Sequence, residues 1–149
     1  MIVSLNIGFK HCQRMREVNS TLIRLNSDPS NVEKVSTFVE TLANKFRFAP
    51  DTYGNILISL TEAVNNAIIH GNCRDQNKVV EVRTSKRKGR LAITVKDEGD
   101  GFDYSNLPDP TCSERVQKCG GRGVFLMRQL SDRCSFQDNG RIVEMQFKL

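Results

Sequence analysis

One stretch constrains this chain more than any other: Leu60-Thr61-Glu62-Ala63-Val64-Asn65-Asn66-Ala67-Ile68-Ile69-His70-Gly71-Asn72. Wound at about 100° per residue, Ile56, Leu57, Leu60, Ala63, Val64, Ala67 and Ile68 fall within roughly 140° of arc, wide enough for a stripe facing a core. Asn55, Ser59, Glu62 and Asn66 fall on the opposite side. The pattern predicts a helix buried along one face and carrying a carboxylate and an amide one turn apart on the other. Pro50 opens this helix where a missing N–H costs least, and Gly71 ends it.

The neighbouring segments predict what the buried stripe packs against. Ser20 to Asn26 alternates like a strand, and Asp28-Pro29-Ser30 supplies a turn and a helix start. Val32, Val35, Phe38, Val39, Leu42 and Phe46 recur at helical spacing, so a first helix is expected from about Asn31 to Phe46. Val79 to Thr84 and Leu91 to Val95 are short, β-branched and alternating around Lys88-Gly89, which reads as a hairpin. Cys134 to Gln137 and Arg141 to Lys148 form a second strand pair across Asn139-Gly140. Val124 to Leu130 is a short apolar helix. Asp103 to Lys118 loses both periodicities and contains Pro108 and Pro110, a loop of the length that often serves as a lid. Helices with mainly antiparallel hairpins imply an α+β fold, a two-layer sandwich with helices covering the sheet.

At 149 residues the chain holds one domain with a substantial core and not two. Residues 1–18, a possible strand followed by a polar segment, form an N-terminal extension of open role ahead of a domain at 19–149. No stretch approaches the roughly 20 apolar residues of a membrane span. The N-terminus reaches Lys10 too soon for a signal-peptide core, so a cytoplasmic protein is expected. Cys12, Cys73, Cys112, Cys119 and Cys134 are odd in number and contain no Cys-x-x-Cys, which argues for reduced thiols over a disulfide framework or a zinc site. The net charge is +5, and its densest run, Lys86-Arg87-Lys88-Gly89-Arg90, sits at the hairpin turn. With no aromatics interleaved to stack bases, a solvated turn is the better reading and nucleic-acid contact is disfavoured.

Three segments carry possible chemistry. Asn66 offers a neutral carbonyl oxygen of the kind that joins phosphates and water around Mg²⁺. Glu62, one turn earlier, could accept a proton from a hydroxyl or water attacking a terminal phosphoryl group. Alone, such a pair is an ordinary solvent-facing one, and His70 an ordinary capping or packing residue. Asp97-Glu98-Gly99-Asp100-Gly101-Phe102 follows a strand, and its glycines permit positive φ and close approach of a flat ring. Asp97 could accept from the exocyclic amine of adenine; the plain alternative is a Gly-rich turn, and the ligand spacing of a calcium loop is absent. Gly120-Gly121-Arg122-Gly123 ahead of a helix is a credible phosphate cradle, although it is neither a Walker A loop nor a dinucleotide fingerprint.

All three in this order resemble the ordered nucleotide boxes of the GHKL ATPase superfamily, whose fold is the Bergerat α/β sandwich. More closely, the chain is similar to the anti-sigma-factor serine/threonine protein kinases of bacteria. That family shows Glu-Ala-x-x-Asn-Ala-x-x-His-Gly, then Asp-x-Gly-x-Gly-Phe, then Gly-Gly-x-Gly-x-x-Leu-Met/Ile, and this chain matches each over roughly residues 20–149. The resemblance implies ATP and Mg²⁺ as cofactors, Glu62 as general base, Asn66 as the Mg²⁺ ligand and Asp97 as the adenine-recognising residue. Gly99 and Gly101 would border base and sugar, and Gly121 and Gly123 would hold phosphates under the lid. His70, Phe102, Gly120, Arg122 and Val124 belong with the same nucleotide-binding segments.

Members of the superfamily that are topoisomerases, mismatch-repair proteins or chaperones need a second domain, and histidine kinases need a phosphoacceptor His on a dimerisation helix. The resemblance therefore points to a stand-alone kinase that phosphorylates an anti-anti-sigma-type protein, can bind a sigma factor and forms a homodimer. The alternative is a nucleotide-gated binding module that sequesters a regulatory partner without phosphorylating it.

Overall fold

The computed structural model describes residues 19–106 and 121–149. The expectations for residues 1–18, for most of the lid, and for Gly120, Cys12, Cys112 and Cys119 lie outside the described residues. Five strands, β1 (Asn19–Asn26), β2 (Val79–Arg87), β3 (Arg90–Lys96), β4 (Arg133–Gln137) and β5 (Ile142–Lys148), form one antiparallel sheet in the order β1-β2-β3-β5-β4. Three helices, α1 (Glu33–Phe46), α2 (Pro50–Asn66) and α3 (Gly121–Leu130), complete the α+β sandwich expected from the hairpins and helical periods.

Alternation along the strands puts Leu25, Val80, Val82, Leu91, Ile93, Val95, Val143, Met145 and Phe147 on the buried face. Against them lie Val35, Phe38, Val39 and Leu42 of α1, Ile56, Leu60, Ala63 and Val64 of α2, and Val124 and Met127 of α3. Each fully buried aliphatic side chain in this layer stabilises the fold by about 1.5–3 kcal/mol relative to its exposed state.

Four local details refine or correct the sequence expectation. Asp28 accepts from the Ser30 N–H (2.9 Å) and hydroxyl (2.8 Å), which starts a 3₁₀ turn at Pro29–Val32, so α-helical bonding begins only at Glu33. Arg47, at φ 55°, closes α1 in the left-handed region. On α2, Ser59 is buried and not solvent-facing. It lies about 40° from the edge of the apolar arc, and α3 packs along that flank of α2, widening the buried surface. The turn at Asn139-Gly140 is longer than two residues, with Asp138, Asn139 and Gly140 all at positive φ.

The predicted second helix runs to Gly71, but its last turn, Ala67–Gly71, has π geometry. Asn72 follows, fully buried, and its side chain ties three segments together. Its Nδ2 donates to Ser27 Oγ (2.8 Å) and to the Val79 carbonyl (3.2 Å), while its Oδ1 accepts from the Glu98 N–H (2.7 Å). The end of the long helix is thereby fixed to the end of β1, the start of β2 and the loop after β3.

Cys73 and Cys134 are free thiols, and burial pushes Cys134 up to about 11. Among the described residues no helix is long and apolar enough to cross a membrane.

Two substitutions of buried polar residues should act in opposite directions. Asn72→Ala removes the shared partner of Ser27, Val79 and Glu98 and should lower the unfolding free energy by about 2–3 kcal/mol in urea titrations. Thr84→Val should leave stability unchanged or raise it by up to about 1 kcal/mol, because the buried Thr84 hydroxyl has no hydrogen-bond partner among the described residues.

Candidate functional site

The site is built where the end of α2 meets the end of β3. Gly71 closes the π turn, and the Asp97 carboxylate occupies the space a side chain at 71 would need. Gly99 in turn lies against the Gly71 carbonyl, so a Cβ at 99 would force the backbone apart, and one at 71 would displace the Asp97 carboxylate. Asp97 is held in this contact by its own backbone: its N–H donates to the Arg141 carbonyl (3.0 Å), and its Oδ1 accepts from the Gly99 N–H (2.8 Å). Only 8% of the residue is exposed, and this burial raises its pKa above the ordinary aspartate value, partly opposed by the Gly99 bond and the positive charge of Arg141.

A cavity of about 420 Å³ opens beside Asp97. Asn66, Ala67, His70 and Gly71 line it from α2 and the π turn, Val95 and Asp97 from the end of β3, and Val124 and Met127 from α3. Gly101, Phe102, Asp103 and Asn106 come from the segment after Asp97, and Phe136, Gly140, Arg141 and Val143 from the β4–β5 hairpin. Its volume and its mixture of apolar walls with a few convergent polar groups fit a small-molecule site.

Glu62 and Asn66 meet at α3 on the same side of α2. A Cβ placed on Gly123 would lie 2.9 Å from both Glu62 Oε2 and Asn66 Nδ2, and 3.4 Å from Asn66 Oδ1. The first turn of α3 thus sits directly against a carboxylate and an amide. Its leading N–H groups have no intrahelical acceptors, and the helix dipole favours negative charge beside them.

Of the residues singled out in the sequence, Asn66, His70, Asp97, Gly101, Phe102 and Val124 line the cavity. Glu62, Gly121, Arg122 and Gly123 lie outside its lining, with Glu62 joined to it through the contact at Gly123 and Arg122 exposed. Gly99 supports Gly71 and does not line the cavity either.

Sequence reading missed Phe136, Asn106 and Arg141. Phe136 looks like one more inward residue of an edge strand, yet its ring meets Phe102 edge-on (5.7 Å) and stacks with Tyr104 (5.1 Å), with the Arg128 guanidinium 5.8 Å away. These rings anchor the segment from Phe102 to Asn106. Asp103 shapes its first turn by accepting from the Ser105 N–H (2.9 Å) and the Asn106 amide (2.7 Å), bonds that hold its carboxyl below the usual range. Arg141 Nη2 donates to Asp138 Oδ1 (2.7 Å), and no motif in the sequence signals that pair.

Among the described residues, no group of three or more His, Cys, Asp or Glu is arranged to hold a metal. Asn66 nevertheless fits a hard cation shared with phosphates: its side chain lines the cavity and offers a neutral oxygen donor. Mg²⁺ in nucleotide sites needs only one or two protein oxygens beside phosphates and water.

A sheet covered by helices, with a deep acid at a strand end and a glycine-led helix facing a Glu/Asn pair, defines a nucleotide-binding α/β sandwich. The chain belongs to the histidine kinase-like ATPase domain family, whose sequence profile matches residues 25–147. It is similar to the serine-protein kinase RsbW of Bacillus subtilis, 28% identical over 126 residues, covering 80% of this chain and 79% of the relative. RsbW of Bacillus velezensis is 30% identical over 127 residues, with 80% and 79% covered. The anti-sigma F factor of Clostridium perfringens is 31% identical over 100 residues, with 64% and 71% covered.

The two kinds of glycine contact predict different costs. Gly99→Ala drives a Cβ into backbone at Gly71 and should lose at least about 2 kcal/mol of stability. Gly123→Ala meets only the ends of two side chains and gains helix propensity, so its stability should shift by less than about 1 kcal/mol. Urea midpoints for the pair check this, and equal losses would contradict the packing described.

Proposed function

We propose that this protein is an ATP-dependent serine/threonine protein kinase that phosphorylates an anti-anti-sigma-type partner and serves as an anti-sigma regulatory factor. The observation that carries this reading is the meeting of Glu62 and Asn66 at Gly123, beside a cavity with the buried Asp97 on its wall. Membership of the histidine kinase-like ATPase family supports nucleotide use, and similarity to proteins named serine-protein kinase supports protein phosphorylation. Similarity to an anti-sigma F factor supports the regulatory role. A homodimer and a bound sigma factor belong to the same reading.

In this reading Asp97 accepts a hydrogen bond from the exocyclic amine of adenine, while Oδ1 remains held by Gly99. Guanine, with a carbonyl at that ring position, would face the carboxylate as a second acceptor and be rejected. Gly101 keeps the wall thin enough for base and sugar: it sits at φ +84°, and a Cβ there would strike the Asn139 carbonyl. Phe102 and Val124 supply apolar surface, and His70 stands at the exposed rim. Gly120, Gly121, Arg122 and Gly123 take the phosphates, Gly121 and Gly123 through the first-turn N–H groups of α3, which have no intrahelical acceptor.

Glu62 takes the proton from the partner's Ser hydroxyl as that oxygen attacks the γ-phosphorus and the bond to ADP breaks. Asn66 holds Mg²⁺, which when bound offsets charge on the phosphate oxygens. The half-buried setting of Glu62 and Asn66 limits competing water, favouring transfer to the partner over hydrolysis.

Labelled-ATP transfer onto an anti-anti-sigma-type protein tests the assignment. Glu62→Ala should reduce transfer at least about 10³-fold, while nucleotide affinity stays within a few-fold. Unchanged transfer removes Glu62 from its role, and binding without transfer by the wild type makes the protein a nucleotide-gated binder.

Asp97→Asn should weaken ATP binding about tenfold or more by calorimetry, a loss of at least about 1.4 kcal/mol. Binding needs the ionised carboxylate, so affinity is full above the pKa of Asp97 and declines as pH falls through it. Burial raises that pKa, so the decline should begin at a higher pH than for an exposed aspartate. Asp97→Asn should remove this acid limb, and an unchanged limb would contradict the assignment.

A further inference from the structure

The face of the sheet turned away from the helices carries its own charge pattern. Strand register brings Arg87 opposite Arg90, and Arg90 opposite Lys148, on three neighbouring strands. One step along, Arg133 of β4 stands opposite Gln146, two residues before Lys148 on the same face of β5. At a strand spacing of about 4.8 Å, the row from Arg87 to Lys148 spans roughly 10 Å. All four cations are exposed.

Elsewhere on this face Arg24 and Arg83 both bind Glu81, Glu144 accepts from the Gln146 amide, and Lys96 stands at the far end of β3 opposite Glu81. Asp132 beside the row accepts from the Lys148 N–H (2.7 Å), with Lys148 Nζ 4.0 Å away. Among the described residues, Arg87, Arg90 and Arg133 have no acidic partner. A cleft of about 380 Å³ opens between Arg90, Asp132, Arg133, Gln146 and Lys148.

We propose that this end of the open sheet face docks an extended acidic segment of a partner protein, with carboxylates held by the row of Arg87, Arg90 and Lys148 and by Arg133 beside it. Guanidinium groups grip carboxylates in paired N–H···O bonds, and unpaired arginines around a cleft favour such a ligand. Single-stranded nucleic acid is the poorer fit, because no aromatic side chain lies among the described residues of this face to stack a base. The seven residues of β3 carry the chain from Arg90 to Lys96, roughly 20 Å by strand rise, before Asp97. The surface is therefore separate from the nucleotide cavity, and the proposal stands whether or not the kinase reading does.

Fluorescence anisotropy of a labelled octaglutamate peptide with the full chain at 50 and 300 mM NaCl tests it, with a labelled dT15 oligonucleotide as comparator. The peptide should bind at low salt and weaken at least tenfold at high salt. The double charge reversal Arg90→Glu with Arg133→Glu should weaken binding at least tenfold, while affinity for a fluorescent ATP analogue stays within twofold. The milder pair Arg87→Ala with Arg133→Ala, checked by circular dichroism, gives the same reading should the reversal unfold the chain. Absent peptide binding at low salt, or binding that both folded variants retain in full, overturns the proposal. Tighter binding of dT15 than of the peptide also overturns it, making a nucleic acid the occupant.

Discussion

The close approach of Gly71 to Asp97 and Gly99 is the contact on which the site depends. It lets the end of a helix settle onto the end of a strand with no side chain between them, leaving a carboxylate buried at the junction. Burying a charged group without partners is costly. Here the Gly99 N–H and the positive charge of Arg141 offset part of the cost. Asn72 keeps the junction in register, because its amide is satisfied only when the helix end, β1, β2 and the loop after β3 are all in place. Fold and site thus share one set of bonds.

The long helix serves both layers of this arrangement. Its apolar stripe packs on the sheet, and the flank with Ser59, Glu62 and Asn66 is covered by α3. Packing of α3 converts two polar side chains that would otherwise be solvated into a half-buried pair beside a helix N-terminus. The final turn of the helix widens to π geometry where it meets Asp97, a distortion found often at functional positions. The β4–β5 hairpin completes the cavity: its three positive-φ residues bring Asn139 against Gly101 and its strand brings Phe136 against Phe102.

The two faces of the sheet divide the electrostatics. The helix-covered side holds the Glu62 and Asp97 carboxylates, while the open face gathers Arg87, Arg90, Arg133 and Lys148 at the end of β3 away from Asp97. With about 20 Å of strand between them, direct Coulomb coupling across that distance is largely screened.

Periodicity alone determined that α2 would be amphipathic, that β2–β3 and β4–β5 would pair as hairpins, and that a helix-covered antiparallel sheet would result, because each depends on neighbours in the chain. The order of the Glu62–Asn72, Asp97–Phe102 and Gly120–Asp132 segments also made the family legible before any coordinates. Tertiary structure alone decided that Ser59 would be buried, that Asn72 would join four segments, and that Phe136 and Arg141 would reach the cavity. It alone placed Lys148 in one row with Arg87 and Arg90, with Arg133 one step along on the next strand. The reason is physical: period and motif report what a residue does within its own segment. Burial of a polar side chain and the charge of a surface depend on which distant segments the sheet register brings beside it.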